Sequence, residues 1–169
     1  MNRKRFETMT LLVTAALALG ACGVGGDGDG DGERLTKEQY IEQGNAICAE
    51  ASARIDAAAQ SAFSTPSEIP PDEEVVELAT ETVVPAIEEE VESLSELRPP
   101  EFDDERVEQT LQAGRDGVDT VRRDPTIIRN SNDDGFARYR ELSESYGLQD
   151  CGGGSDVLRD SMSGFSGGG

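Results

Sequence analysis

The sequence predicts an all-α protein built as a four-helix bundle-like domain, and three observations carry that prediction. Between residues 35 and 151 four segments repeat apolar side chains at three- or four-residue steps. None alternates apolar and polar residues for long enough to make a strand, so no sheet is expected. Prolines, glycines and helix-compatible charges bound the segments, and the connections are short, as in bundles.

The first helix begins at a Thr-x-x-Gln capping box, Thr36 with Gln39, and Leu35 and Tyr40 occupy the two positions of a hydrophobic staple. Ile41, Cys48, Ile55 and Ala62 then recur every seven residues, with Gly44, Ala51 and Ala58 between them. This stripe is apolar but small, so another helix can approach closely. Pro70-Pro71 followed by Asp72, Glu73 and Glu74 opens the second helix, with its acids at the positive end of the dipole. Its stripe is Val76, Ala79, Val83, Ile87, Val91, Leu94 and Leu97, with Pro85 inside it as an expected kink, and Arg98-Pro99-Pro100 ends it.

The third helix opens on Asp103, Asp104 and Glu105 and closes on Arg122 and Arg123, so both ends complement the dipole. Val107, Leu111, Gly114, Val118 and Val121 form its inner face. The fourth runs from about Asp133 to Tyr146 with Phe136, Tyr139, Leu142 and Tyr146 inward. Gly147 then stands where a left-handed cap is wanted, and Leu148 where its hydrophobic contact falls.

Residues 1–21 read as a lipoprotein signal peptide. Arg3, Lys4 and Arg5 precede an apolar run, Thr10 to Leu19, that is shorter than the roughly 20 residues a spanning helix needs. The run ends in Leu19-Gly20-Ala21-Cys22, which matches a bacterial lipobox, making Cys22 the candidate lipidation site; the alternative is an ordinary signal peptide cut elsewhere. Lipid on Cys22 would hold the chain to the outer face of the cell membrane, with two or more acyl chains giving a stable anchor. Residues 22–34, rich in Gly and Asp, read as the lipidated tether, 35–151 as the bundle domain, and 152–169 as a disordered Gly/Ser-rich tail.

The whole chain carries 15 Lys+Arg against 35 Asp+Glu; the leader removes three basic residues and one acidic one, leaving 12 − 34 = −22. Such a charge excludes nucleic acid as a partner and disfavours lying flat on an anionic membrane surface. The chain has no His, which removes the commonest general base and metal ligand, so no enzyme is expected. Once Cys22 is lipidated, Cys48 and Cys151 remain. In an oxidising compartment an even pair reads as a disulfide, here joining helix one to the segment after helix four; the alternative is two buried thiols.

The lipobox at Cys22, the opening LTKEQYIEQGNAICAEA (Leu35 to Ala51), the SLSELRPPEF break (Ser93 to Phe102) and the ending YGLQDCG (Tyr146 to Gly152) together resemble a group of small lipoproteins seen mainly in actinobacteria. The resemblance implies an extracytoplasmic helical domain with Cys48 and Cys151 joined. It implies no activity.

Few constellations suggest chemistry. Asp27, Asp29 and Asp31 with Glu38 fit the spacing of a calcium loop, although an Asp-Gly repeat produces that spacing trivially and Arg34 stands where an apolar residue is usual. Calcium is therefore a candidate ligand and no other cofactor is expected. Glu88, Glu89, Glu90 and Glu92 read as a solvated helix face, Arg122 and Arg123 as the complement of a helix end, and Tyr139 and Tyr146 as core aromatics. The function expected is a lipid-anchored extracytoplasmic binding module, with an envelope protein as a possible partner. The alternatives are a carrier for a small apolar or cationic ligand, with a pocket where Gly44, Ala51, Ala58 and Gly114 lie, and a calcium-responsive spacer.

Overall fold

Thr36 and Gln39 close the first helix as their spacing predicts. The Gln39 N–H donates to the Thr36 hydroxyl at 3.2 Å, and the Thr36 N–H donates to the Gln39 side-chain oxygen at 2.9 Å. Helix α1 (Lys37–Ala62) follows. The computed structural model describes residues 33–62, 70–130 and 133–153, and among these every regular element is helical. None of those helices is long and apolar enough to cross a membrane. The signal segment, Cys22 and the Asp27, Asp29 and Asp31 repeat lie outside the described residues.

The buried stripe of α1 is Tyr40, Gly44, Cys48, Ala51, Ile55 and Ala59. Of the expected heptad positions, Ile41 and Ala58 are only half-buried and Ala62 is exposed. The buried stripe takes in Tyr40 at the start of the helix and Ala59 towards its end.

The second rod is continuous but changes its winding. Helix α2 (Asp72–Leu78) passes through a π-helical turn (Ala79–Val83) into α3 (Val84–Glu96). Pro85 explains this: it has no N–H to donate, and its ring crowds the carbonyl four residues earlier. One wide turn just before it, in which the Val84 N–H reaches back to the Ala79 carbonyl, lets the rod continue past the proline.

Helix α4 (Asp104–Arg123) buries Val107, Leu111, Gly114, Val118 and Val121, the stripe its spacing predicts. A short 3-10 segment (Pro125–Arg129) leads on, with the Asp124 carboxylate accepting from the Thr126 N–H at 3.1 Å. Helix α5 (Ala137–Tyr146) starts four residues later than the acidic residues suggest. Asp133 and Asp134 serve a turn instead: the Asp134 carboxylate accepts from the Phe136 N–H at 3.0 Å, and Gly135 takes φ +92°. The inner face of α5 is Tyr139, Ser143 and Tyr146, and Leu142 lies half-buried beside it.

Counting α2 and α3 as one rod, four rods make an all-α, bundle-like fold. Helix α3 lies between α1 and α4, and α4 also packs on α5. Each fully buried Val, Leu or Ile side chain in such a core contributes roughly 1.5–3 kcal/mol. The glycines in the stripes are points of close approach. A Cβ at Gly44 would fall 2.5 Å from the Leu148 Cδ2, and one at Gly114 would fall 2.6 Å from the Val91 Cγ2. Both positions are filled by neighbouring side chains, so neither opens the pocket that a ligand carrier needs.

Gly147 ends α5 in the left-handed conformation, φ 111°, and the Leu148 N–H donates to the Ser143 carbonyl at 2.9 Å while the Gly147 N–H reaches the Glu144 carbonyl at 3.1 Å. The chain then lies along α1 as a strap. Leu148 covers Gly44, the Gln149 N–H donates to the Asn45 side-chain oxygen at 2.7 Å, and the Ser52 hydroxyl donates to the Asp150 carbonyl at 2.6 Å. Cys151 is joined to Cys48 in a disulfide, the two standing 103 positions apart in sequence. The packed chain extends beyond Cys151, since Gly152 is buried. Gly147→Ala should lower the urea midpoint by the equivalent of about 1–2 kcal/mol at unchanged slope, because an L side chain is strained at this φ.

Candidate functional site

Four glutamates on α3 share one short stretch, and the helix sends them in three directions. Glu88 points to α4, where its carboxylate meets the Arg122 guanidinium at 2.6 Å. Glu89 points to α1, where it meets Arg54 at 2.6 Å. Glu92 is exposed, but Glu90 is only 1% exposed. The solvated face expected of the run therefore holds for three members and fails for Glu90. The sequence contained the signal: Glu90 is three residues after Ile87 and four before Leu94, on the same side as both. With α1 on one flank and α4 on the other, α3 buries positions 90 and 91 together.

Glu90 makes one hydrogen bond. Its Oε1 accepts from the Gly152 N–H at 3.0 Å, and its Oε2 has no hydrogen-bond partner. The Tyr139 and Ser143 hydroxyls on α5 are likewise buried and unpartnered. Tyr139 lies close enough to Glu90 for each to bear on the other's ionisation, although the two are not aligned as a hydrogen bond. Burial pushes the Glu90 carboxyl up to about 7, against the smaller opposing pull of the Gly152 amide and the Tyr139 hydroxyl. Burial also raises the Tyr139 phenol well above its ordinary value, and the neighbouring Glu90 charge adds to the effect. Near neutral pH the Glu90 carboxyl is thus poised between its neutral and charged forms.

The Cys48 and Cys151 sulfurs and a Glu90 oxygen lie within 4.8 Å of one another. Metal ligation by cysteine needs a thiolate, and these sulfurs are bonded to each other, so the three residues as joined do not fit a metal. Of the expected calcium ligands only Glu38 is described; it is exposed on the first turn of α1. Arg122 is occupied by Glu88, and the Arg123 Nε donates to the Asp119 carbonyl of its own helix at 3.0 Å, so both serve the end of α4. Tyr139 and Tyr146 are core aromatics, as their positions suggest. Tyr146 stands edge-on to Tyr40 with centroids 5.7 Å apart and donates to the Asp103 carboxylate at 2.9 Å.

Two clefts flank α3. Between α1 and α3 a recess of ≈ 70 Å³ is walled by Ile47, Ala51 and Ala86 and rimmed by Glu50, Arg54 and Glu89. Between α3 and α4 a broader open cleft of ≈ 480 Å³ has Val91 and Val118 at its floor. Its walls carry both signs of charge, Glu88, Glu92 and Asp119 against Arg115 and Arg122. An open, shallow cleft with a small apolar floor and charged walls suits contact with a protein surface better than enclosure of a small molecule. Sequence reasoning missed it because Glu88 and Arg122 come from helices whose pairing no local rule dictates. Comparison with protein-family models, with curated proteins and with solved structures finds no match to this chain.

Proposed function

We propose that this chain is a lipid-anchored binding module on the extracytoplasmic face of the cell membrane, which recognises another envelope protein through the α3–α4 cleft. The observation that carries the reading is the cleft itself, an apolar floor between Val91 and Val118 within walls of opposed charge. The lipobox at Cys22 supports the location, and the Gly/Asp-rich stretch ahead of residue 35 supports a domain joined to the lipid by a linker. The filled glycine positions at Gly44 and Gly114 favour this reading over a carrier with an internal pocket.

Cross-linking on intact cells tests the recognition. One envelope protein should be recovered with the tagged chain and with the Glu77→Lys variant, which changes an exposed residue outside the cleft, and should be lost with Glu92→Lys. Equal recovery with all three, or recovery of nothing specific, overturns the cleft as the binding surface. The anchor has its own test. Cys22→Ser should leave the precursor uncut or release the protein to the medium, and a processed variant that still fractionates with membrane refutes the anchor.

A further inference from the structure

Phe102 is 95% exposed, the one large apolar side chain among the described residues left in solvent. A single exposed apolar residue needs no explanation by itself. What distinguishes this one is its place. It sits in the turn between α3 and α4, and that turn is fastened to the start of the domain. The Leu35 N–H donates to the Arg98 carbonyl at 2.9 Å, and the Arg34 guanidinium donates to the Pro99 carbonyl at 3.0 Å. The chain that leads back to Cys22 therefore departs from the end of the bundle that presents Phe102.

The turn is stiff and part of its charge is locally offset. Pro99 and Pro100 restrict the backbone, and the Asp103 N–H donates to the Pro100 carbonyl at 2.9 Å. Of the acids beside Phe102, Glu101 is exposed, Asp104 is paired with Arg34 at 2.7 Å, and Asp103 lies 3.9 Å from the Lys37 ammonium and accepts from Tyr146. Arg106 stands over the Tyr146 ring at the same end, 5.6 Å from its centroid. Arg34, Lys37 and Arg106 thus stand among the acids of this end and offset part of their charge.

We propose that this end of the bundle faces the bilayer and that Phe102 inserts into the membrane interface as a second, non-covalent contact beside the lipid. The proposal rests on the anchor reading above. Residues 23–33 are eleven in number and rich in Gly and Asp, a composition and length whose reach is on the order of 18–20 Å. The lipid thus holds the turn within reach of the headgroups at high effective concentration, where one aromatic side chain is enough to bias orientation. A domain so seated presents the sides of its rods, including the α3–α4 cleft, along the membrane plane.

The chain has no Trp, so F102W supplies a single tryptophan at an exposed position, excited apart from the tyrosines at the red edge of the absorption band. The lipidated full chain would be reconstituted into phosphatidylcholine vesicles with and without lipid brominated high on the acyl chains. A second variant, Gln60→Trp, puts the probe on an exposed site near the other end of α1. The expected result is a blue-shifted F102W emission that brominated lipid quenches, and a Gln60→Trp emission that stays water-like and unquenched. Vesicle-bound F102W with water-like, unquenched emission overturns the membrane contact and leaves the anchor standing. Equal quenching of both variants overturns the orientation. Failure of both to float with vesicles overturns the anchor, and this contact falls with it.

Discussion

Replacing Cys48 and Cys151 together by alanine should lower stability by about 4–5 kcal/mol, the loop-closure value for a ring of some 100 residues. For a domain of this size that is a large share of the usual total of about 5–15 kcal/mol. The loss should not spread evenly. The strap from Leu148 to Gly153 is held to α1 by the disulfide and two hydrogen bonds, from Ser52 and to Asn45. Without the covalent bond it is the segment most ready to lift, exposing Gly44, Ile55 and the polar cluster at Glu90. Hydrogen exchange should therefore show the Gln149 and Gly152 amides losing protection first, ahead of the amides inside α4. Uniform loss of protection across all helices would mean that the bridge acts on the unfolded chain alone.

The second large effect is on pH. Glu90 holds its proton more tightly in the folded chain, at about 7, than a carboxyl does in the open chain. A group raised in this way contributes stability that is complete below its unfolded value, near 4.5, and is lost as pH climbs through 7. The difference amounts to about 3 kcal/mol between pH 4 and pH 9. Glu90→Gln keeps an oxygen for the Gly152 N–H and cannot ionise. It should match the wild type near pH 4 and exceed it in stability above pH 8. Chemical denaturation across that range decides the matter: stability curves that stay parallel for the two proteins would show that the carboxylate ionises at no cost to the fold. The many surface carboxylates add a pH dependence of their own, but they are common to both proteins and cancel in the comparison.

What could be read from the sequence was what neighbours along the chain determine. The capping box at Thr36, the left-handed cap at Gly147, and the stripe of α4 all depend on residues within a turn or two, and all stand where the spacing put them. The pairing of the two cysteines was legible because the compartment implied by the leader left them as an even pair. The burial of Glu90 was not legible, because the groups that receive it come from elsewhere: an amide 62 residues away and hydroxyls on α5. Four glutamates in a row of five look alike until the helices on either side are known. The small residues were ambiguous for the same reason. Gly44 and Gly114 announce close approach, but only the structure shows Leu148 and Val91 occupying the space. The late start of α5 turns on Gly135 adopting a positive φ, which its acidic neighbours masked.

The place of the bridge also sets how the domain carries mechanical load. If the lipid holds one end and something draws on the chain beyond residue 153, tension runs from residue 33 along the first turns of α1 to Cys48, crosses to Cys151 and leaves. Residues 49–150, with α2 to α5 and the α3–α4 cleft, form a closed loop whose backbone lies off that covalent line. A pull on that line would reach the cleft only through side contacts such as those of Arg34 and Leu35 with the α3–α4 turn, and not through the backbone of α3 or α4.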